Sequence, residues 1–331
     1  MIQVSKCASC YEEIKDKSVL CKVCNALLHP DCAIQDNGYM CDTCYTEAFN
    51  APEVLEFDVP DVIRRSYIKE YDDCPYKFYV HHAKGLEQPP NIYAQMGIDL
   101  HDLFERGSKE ENYHQVDMEK DFRFMFDDYS DELFEGLYGN TTEQNMYDKG
   151  IASIKTFYDV IYNLESELHS AEKTYQFPVG EDLPLVQCTI DRVDKIDEKR
   201  LHVMDWKTGS VMVGKALSAD MQPPLYIKAV QQAYPDMTVE KFTLYYLSEN
   251  KERTYERIND DNYVCRVGKR EYKINITDTV KKVQHIFSQI NNGNFNIPVE
   301  TKGMYYTCKM CHVRKAGMCE GAEMQVWNQF Q

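Results

Sequence analysis

Residues 185–209, LVQCTIDRVDKIDEKRLHVMDWKTG, decide the fold of this chain. The stretch contains two strand-like runs separated by a short turn, which predicts two adjacent strands joined by a hairpin. Residues two apart on a strand project from the same face, so Asp205 and Lys207 point together while Trp206 points to the opposite side. The hairpin also brings Asp191 of the first strand close to Asp205.

Asp191, Asp205 and Lys207 are candidates for phosphodiester hydrolysis. Two carboxylates on adjacent strands suit a hard cation such as Mg²⁺ or Mn²⁺, which prefers oxygen ligands. A metal held there lowers the pKa of a bound water and neutralises charge on a phosphate, while the lysine orients the water or stabilises the oxyanion. Charged residues two apart are also common on exposed strands, so an ordinary ion pair is the alternative.

Helices and further strands surround this hairpin in the sequence. Helical periodicity runs through residues 66–82, 93–107 and 145–168. Strand-like runs lie at 171–179, 241–248 and 263–276, and a helix begins near Ala219. Helices followed by a sheet with helices packed on it indicate the α/β class.

An acidic segment interrupts this pattern between about residues 109 and 150. We predict a helical insertion with a solvated acidic face, and the alternative is mimicry of DNA phosphates or restraint of a DNA channel. The formal net charge of the 331 residues is −17. That charge argues against a protein that coats nucleic acid through bulk electrostatics, so any DNA contact must be local.

The cysteines and the absence of long apolar runs indicate a cytoplasmic protein. No stretch approaches the roughly 20 apolar residues of a membrane span, and MIQVSKCASC lacks the apolar core of a signal peptide. Most of the thirteen cysteines lie in C-x2-C pairs. Metal ligation in a reducing compartment therefore explains them better than disulfides.

Several motifs, in a fixed order, resemble the RecB-like branch of the PD-(D/E)XK nucleases, which includes AddB-type, CRISPR-associated and phage exonucleases. They run from Ser66 to Cys319 and comprise SYIKEYDDCPYKF, GIDLH, Glu172 in AEKTYQF, TIDRVD, MDWKTG and QPPLY. The resemblance implies a restriction-endonuclease-like mixed central sheet flanked by helices. Cys188 departs from the pattern, because the family often has glycine three residues before its first aspartate.

The resemblance also implies roles for individual residues. Metal binding falls to His101, Asp191, Asp205 and the main-chain carbonyl of Trp206. Lys207 becomes the catalytic lysine, and Gln222 and Tyr226 position the substrate near the scissile phosphate. The alternatives are a helix histidine at 101 and a core tyrosine at 226.

Three cysteines near the C-terminus lack a fourth partner in their own segment. In several RecB-like nucleases one cysteine before the core and three after it hold a [4Fe-4S] cluster. The resemblance implies such a clasp for Cys74, Cys308, Cys311 and Cys319. The last interval is x7 where the family commonly has x5, so a third zinc site that uses His312, or metal-free thiols, are the alternatives. Cys188 and Cys265 are predicted to be buried free thiols.

The N-terminal region supplies four regular ligand pairs, which predict two structural tetrahedral zinc sites. The ligands are Cys7, Cys10, Cys21, Cys24, His29, Cys32, Cys41 and Cys44. Their order resembles a PHD or RING-like cross-brace finger, in which Cys7, Cys10, His29 and Cys32 share one ion and the other four ligands share the second. The finger docks a protein or guides DNA, or it only stabilises its own fold.

Residues 1–48 are thus predicted to form the zinc module, 49–65 a linker and 66–331 the nuclease domain. The predicted function is a Mg²⁺- or Mn²⁺-dependent deoxyribonuclease, an exonuclease or end-processing enzyme acting on single-stranded DNA or DNA ends. The resemblance suggests DNA repair or recombination in a bacterial or phage-infected cell. The alternative is a catalytically silent adaptor that binds DNA or protein through its finger. The intact His–Asp–Asp–Lys set favours catalysis, since clustered buried charges are costly to keep.

Overall fold

The computed structural model describes residues 14, 18–21, 27–35, 39–40, 57–88, 91–135, 137, 139–296, 308 and 311–319. The chain divides into two compact units, Met1–Phe57 and Asp58–Gln331. Among the described residues, no helix combines the length and the apolar character that a membrane crossing needs.

Two short hairpins make up the described part of the smaller unit. β1 (Val19–Leu20) pairs antiparallel with β2 (Leu27–Leu28), and β3 (Ile34–Gln35) pairs antiparallel with β4 (Tyr39–Met40). A 3-10 turn at Pro30–Cys32 connects the two hairpins. Five of the predicted zinc ligands, Cys7, Cys10, Cys24, Cys41 and Cys44, lie outside the described residues.

The larger unit is built on a mixed eight-stranded sheet. Its strands are β5 (Val62–Arg64), β6 (Glu167–Phe177), β7 (Leu185–Lys195), β8 (Arg200–Lys207), β9 (Thr238–Tyr246), β10 (Lys251–Arg257), β11 (Asn262–Val267) and β12 (Arg270–Asn275). They follow the order β12-β11-β10-β9-β8-β7-β5, and β6 pairs with β7 as well. The β5–β7 and β8–β9 pairs are parallel and the others antiparallel. The predicted α/β fold with a mixed central sheet is confirmed.

Helices cover both faces of this sheet. They are α1 (Arg65–Asp73), α2 (Pro75–His82), α3 (Ile92–Lys109), α4 (Gln115–Asp127), α5 (Asp131–Phe134), α6 (Glu143–Tyr162), α7 (Ala216–Ala219), α8 (Gln222–Ala233), α9 (Ile276–Asn291) and α10 (His312–Lys315). Apolar side chains of α3, α4 and α6 form one core with Met204 and Trp206 of β8. On the other face α8 packs against β6, β7 and β9. β8 is consequently almost entirely buried, as expected of a strand covered on both sides.

The entry segment differs from the single helical run that its periodicity predicts. The structure has two helices, α1 and α2, which are separated at Cys74. Pro75 disfavours helical geometry at the residue before it, and Cys74 accordingly has φ −163° and ψ 104°. This break lets the Cys74 side chain cap α2 by accepting a hydrogen bond from the amide of Lys77.

Candidate active site

The two strands of the decisive hairpin separate where the candidate residues begin. β7 and β8 pair from Lys195 and Leu201 as far as Arg192 and Met204, where their pairing ends. β5 pairs with the same side of β7, but only along residues 185–187. Within the described chain, residues 188–191 of β7 therefore have no strand partner on this side. The gap lies between the end of β5 and the point where the pairing of β7 with β8 ends. Asp191 lies in this gap.

Asp191 fills the opening between the strands with its own carboxylate. Its Oδ2 accepts a hydrogen bond from the backbone amide of Trp206 at 2.6 Å. The indole of Trp206 packs on the opposite face of the sheet, against Phe157 and Tyr245. The metal-ligand candidate thus also satisfies a β8 amide at the place where strand pairing is lost.

Asp205, Lys207 and Gln222 form a connected group on the other side of the gap. The Lys207 Nζ lies 2.6 Å from Asp205 Oδ2 and donates to Gln222 Oε1 at 2.8 Å. Gln222, the first residue of α8, donates through Nε2 to Asp205 Oδ1. The side chain of Asp205 is 3% exposed and that of Lys207 is 27% exposed. The lysine is therefore held in place and still open to a substrate.

His101 and Glu172 complete the cluster from two other elements. His101 of α3 places Nδ1 3.6 Å from Asp191 Oδ1 and 3.6 Å from Glu172 Oε1. Ligand atoms of His101, Glu172 and Asp191 all lie within 4.8 Å of one another. Among the described residues, this is the only group of three or more His, Cys, Asp or Glu with such spacing. The three side chains could hold a metal ion.

Glu172 is the site residue for which the sequence had suggested a place in the motif order but no role. It lies on β6 between the register pairs Ala171–Arg192 and Lys173–Ile190, across from Asp191. Its φ of 47° is in the left-handed region, which is strained for a residue with a side chain. Its Oε1 is buried without a hydrogen-bond partner in the structure. No sequence pattern signals that backbone geometry.

The electrostatics of the cluster favour the uptake of positive charge. Burial and the nearby charge of Asp205 raise the pKa of Asp191 to about 8, against the opposing effect of His101. Burial lowers the pKa of His101, but Asp191, Glu172 and Asp205 outweigh it and raise that pKa to about 9. Protons thus occupy a site whose carboxylates repel one another, and a divalent cation can replace them.

Tyr226 lies one turn after Gln222 on α8, with its ring 6% exposed. Burial, followed by the charge of Asp205, raises the pKa of Tyr226 well above its usual value. The structure thus brings Tyr226 to the carboxylates. The Trp206 carbonyl, predicted as a further ligand, belongs to the part of β8 that pairs in parallel with β9.

Three of the predicted clasp cysteines, Cys74, Cys308 and Cys311, are near enough to Cys319 to influence its thiol, although Cys74 is far from it in sequence. Burial, followed by the charges of Cys74, Cys311 and Cys308, raises the pKa of Cys319 to about 11. The Tyr76 hydroxyl donates to the carbonyl of Met318 at 2.8 Å and joins α2 to the C-terminal segment. Cys188 and Cys265 are buried elsewhere.

His312, the alternative zinc ligand, is engaged with another histidine. Its Nε2 lies 2.6 Å from Nε2 of His81, and the two rings stack with their centroids 4.6 Å apart. His81 Nδ1 is in turn 2.7 Å from Glu70 Oε1. The three side chains link α1, α2 and α10 beside the cysteines.

Three of the eight predicted zinc ligands lie in the described part of the smaller unit. Cys21 is buried, and His29 Nδ1 lies 3.9 Å from Cys32 Sγ. The close approach of His29 and Cys32 is compatible with their predicted sharing of one ion.

A mixed sheet that opens around a His–Glu–Asp–Asp–Lys cluster could hold a divalent metal ion beside a lysine, which is the arrangement that metal-assisted phosphodiester hydrolysis uses. The model of the PD-(D/E)XK nuclease superfamily matches residues 65–316. The chain therefore belongs to this superfamily. No curated protein matches the chain significantly.

Proposed function

We propose that this protein is a Mg²⁺- or Mn²⁺-dependent deoxyribonuclease, acting as an exonuclease or DNA-end-processing enzyme. The convergence of His101, Glu172 and Asp191 beside Asp205 and Lys207 carries this proposal. Membership of the nuclease superfamily supports hydrolysis of nucleic acid. The preference for DNA and for strand ends rests on the resemblance to RecB-like exonucleases.

The donor set fits a hard divalent cation. The buried Oε1 of Glu172 accepts no hydrogen bond and meets His101 Nδ1 only at 3.6 Å, so it is an acceptor that a cation would satisfy. Carboxylate oxygens with one imidazole suit Mn²⁺ and Mg²⁺ better than softer metals. We assign His101, Asp191, Asp205 and the Trp206 carbonyl as ligands and add Glu172 to them. A metal bound there would activate a water and neutralise charge on the phosphate.

Lys207 acts on the attacking water or on the phosphate oxygens. Its contacts with Asp205 and Gln222 fix the ammonium group at the mouth of the gap. Because it stays partly exposed, it can donate to a phosphate oxygen as negative charge develops in the transition state. Gln222 holds both Asp205 and Lys207, and Tyr226 offers its hydroxyl on the same side of α8, so both position the substrate.

The test is incubation of the purified chain with labelled linear and circular DNA, single- and double-stranded, in Mg²⁺ or Mn²⁺. We expect cleavage that is lost on chelation and reduced at least 10²-fold in Lys207→Ala, since the removed group stabilises transition-state charge. Lys199→Ala is the matched control, because Lys199 is exposed in the turn of the same hairpin. No cleavage of any nucleic acid, or equal rates for both variants, would favour a silent binding protein instead.

We further propose that Cys74, Cys308, Cys311 and Cys319 bind a [4Fe-4S] cluster. The thiols are close enough to raise one another's pKa, and a cationic cluster would relieve that repulsion. Zinc–sulfur bonds of about 2.3 Å place four sulfurs of a zinc site about 3.8 Å apart. No cysteine trio among the described residues meets even a 4.8 Å limit, which favours the wider cubane.

The smaller unit is proposed as a two-zinc finger that docks a protein or guides DNA. The His29–Cys32 approach supports one of its two sites. Zinc released from the full chain is titrated with a chromogenic chelator. We expect two zinc ions per chain from the ligands in residues 7–44. Location in the cytoplasm of a bacterial or phage-infected cell stays a prediction.

A further inference from the structure

Arg65 stands at the rim of the gap that exposes Asp191. It is the first residue of α1 and directly follows β5, whose last register pair joins Arg64 to Gln187 of β7. The gap along β7 begins at the next residue, Cys188. Burial raises the pKa of the Cys188 thiol, and the charge of Arg65 lowers it. Arg65 is therefore close to Cys188. Its guanidinium is thus at one end of the gap, with β8 and Lys207 at the other.

The guanidinium also lies against the site through Tyr226. The Arg65 Cζ is 5.9 Å from the centroid of the Tyr226 ring. After burial, the charges of Asp205, Arg65 and Asp191 act on the pKa of the Tyr226 hydroxyl. Tyr226 thus lies near both Arg65 and the candidate metal-binding carboxylates.

Arg65 is one of the described lysines and arginines that have no acidic partner. Lysines and arginines such as Lys69, Arg106, Arg192 and Lys282 form ion pairs with aspartates. Among the residues that the structure describes, no carboxylate lies within 4.0 Å of the Arg65 guanidinium, and no hydrogen bond from it is found. An arginine that lies near carboxylates without pairing with one has its five N–H donors available for an external anion.

We propose that Arg65 binds a backbone phosphate of the nucleic-acid strand next to the scissile phosphate. The planar guanidinium can donate two hydrogen bonds to a phosphate while its face stays on the Tyr226 ring. It supplies the local positive charge that a chain of net charge −17 needs at its site. Arg65 is a substrate-binding residue here, and this assignment rests on the proposed nuclease function.

The experiment measures binding of a labelled oligonucleotide, single-stranded and duplex, as a function of salt concentration. All variants carry Lys207→Ala so that the strand stays intact, and the substitutions compared are Arg65→Gln, Arg65→Lys and Arg64→Gln. Arg64 is the matched control, because it is the exposed neighbour with the same charge and no contact with Tyr226. Thermal unfolding of each variant reports on the fold.

We expect Arg65→Gln to weaken binding by on the order of tenfold and to lower the slope of log K against log salt by about 0.7 to 0.9, one phosphate contact. Arg65→Lys should restore the slope but only part of the affinity, since lysine lacks the planar fork. Arg64→Gln should change the slope by much less, and the melting temperature should stay near that of the parent.

Two results overturn the assignment while leaving the nuclease function intact. In the first, Arg65→Gln and Arg64→Gln have the same affinity and slope, which means that only overall charge matters. In the second, Arg65→Gln keeps the parental slope and merely unfolds at lower temperature, which is the result of a structural contact with Tyr226. If the parent protein neither binds nor cuts nucleic acid, the proposed function fails, and the assignment of Arg65 fails with it.

Discussion

Glu172 combines a strained backbone, a buried oxygen without a partner and a position between His101 and Asp191. The strained backbone and the buried oxygen destabilise the metal-free fold. A left-handed φ at a residue with a side chain costs on the order of 1 kcal/mol, and a buried unsatisfied acceptor costs about as much or more. Such costs persist where the binding of a ligand requires them, which is why we count Glu172 among the metal ligands.

Glu172→Gly should therefore stabilise the metal-free protein and weaken metal binding. Glycine adopts the left-handed region without strain and removes the buried carboxylate. We expect a gain of about 1 kcal/mol in the free energy of unfolding in chelator, measured by urea denaturation, and at least a tenfold loss of Mn²⁺ affinity. Glu167→Gly, at the exposed start of the same strand, is the control. A destabilised variant that binds Mn²⁺ normally would contradict the assignment.

Protons and metal compete at Asp191 and His101. Both folded-state pKa values, about 8 and about 9, lie above the ordinary values of 3.8 and 6.5. The folded protein thus holds protons that the unfolded chain releases. The contribution of these groups to stability is present at low pH and is lost as pH rises through about 8 and 9.

We accordingly expect the metal-free protein to lose stability between about pH 4 and pH 9, first through Asp191 and then through His101, and Mn²⁺ affinity to rise over the same interval. Calorimetric titrations in buffers of different ionisation enthalpy would count the protons released on binding. Asp191→Asn should remove most of the pH dependence. Affinity that is constant with pH, without proton release, would show that these groups are not displaced by the metal.

The residues of the central cluster could be predicted from the sequence to different degrees. The D-x-K alternation of β8 suffices to place Asp205 and Lys207 together, since the period of a strand is two. His101 and Gln222 required a family resemblance, because nothing local tells a helix histidine or glutamine where it will point. The backbone of Glu172 and the isolation of Arg65 depend on tertiary contacts and had no sequence signal.

At the scale of elements, the contact between α4 and α6 is unusually close. A Cβ at Gly150 of α6 would lie 2.1 Å from Cζ of Phe122, a ring of α4 that is fully buried. The glycine is thus required by packing, and its φ is not in the left-handed region. α4 lies in the segment that the sequence predicted as an acidic helical insertion, and α6 corresponds to the helix predicted at 145–168. Both cover the face of β8 that carries Trp206.

Gly150→Ala should destabilise the fold although alanine is the better helix former. The propensity gain is about 1 kcal/mol, whereas overpacking against Phe122 costs about 1 to 3 kcal/mol. Gly97→Ala in α3 is the control, because its Cβ would meet only Thr208 Oγ1 at 3.5 Å. We expect opposite signs for the two variants in urea denaturation. A stabilised Gly150→Ala would mean that Phe122 moves aside at little cost.

Elements with a strong apolar period could be predicted, and those without one could not. β7, β8 and α3 lie close to the ranges that their patterns predict. β10 was not expected, because KERTYER contains a single buried residue, Tyr255, and is a strand only through pairing with β9 and β11. The strand region predicted at 263–276 is two strands, β11 and β12, and α9, which begins where that region ends, is not predicted.

At the scale of the whole molecule, the proposed cysteine clasp would join the beginning of the larger unit to its last described residues. Linking Cys74 to Cys308 closes a loop of about 230 residues, which lowers the entropy of the unfolded chain by up to about 5 kcal/mol in the loop-closure model. The link also holds α1, and with it Arg65, through the Glu70–His81–His312 contacts.

Cys319→Ala should therefore lose the visible absorption of an iron–sulfur cluster and several kcal/mol of unfolding free energy. The measurement is the spectrum of anaerobically prepared protein, followed by denaturation. Cys265→Ala removes a buried thiol far from the clasp in sequence and should keep the parental spectrum. A colourless parent protein that contains three zinc ions would replace the cluster by a third zinc site.

The span of this clasp also has a consequence for how the protein is made. Ribosomes add about 5 to 20 residues per second, so on the order of ten to fifty seconds separate the synthesis of Cys74 from that of Cys308. During that time the nascent chain carries α2 and the whole sheet without the ligands that close the clasp. A cluster held by the proposed clasp would consequently be loaded only after almost all of the larger unit has been synthesised.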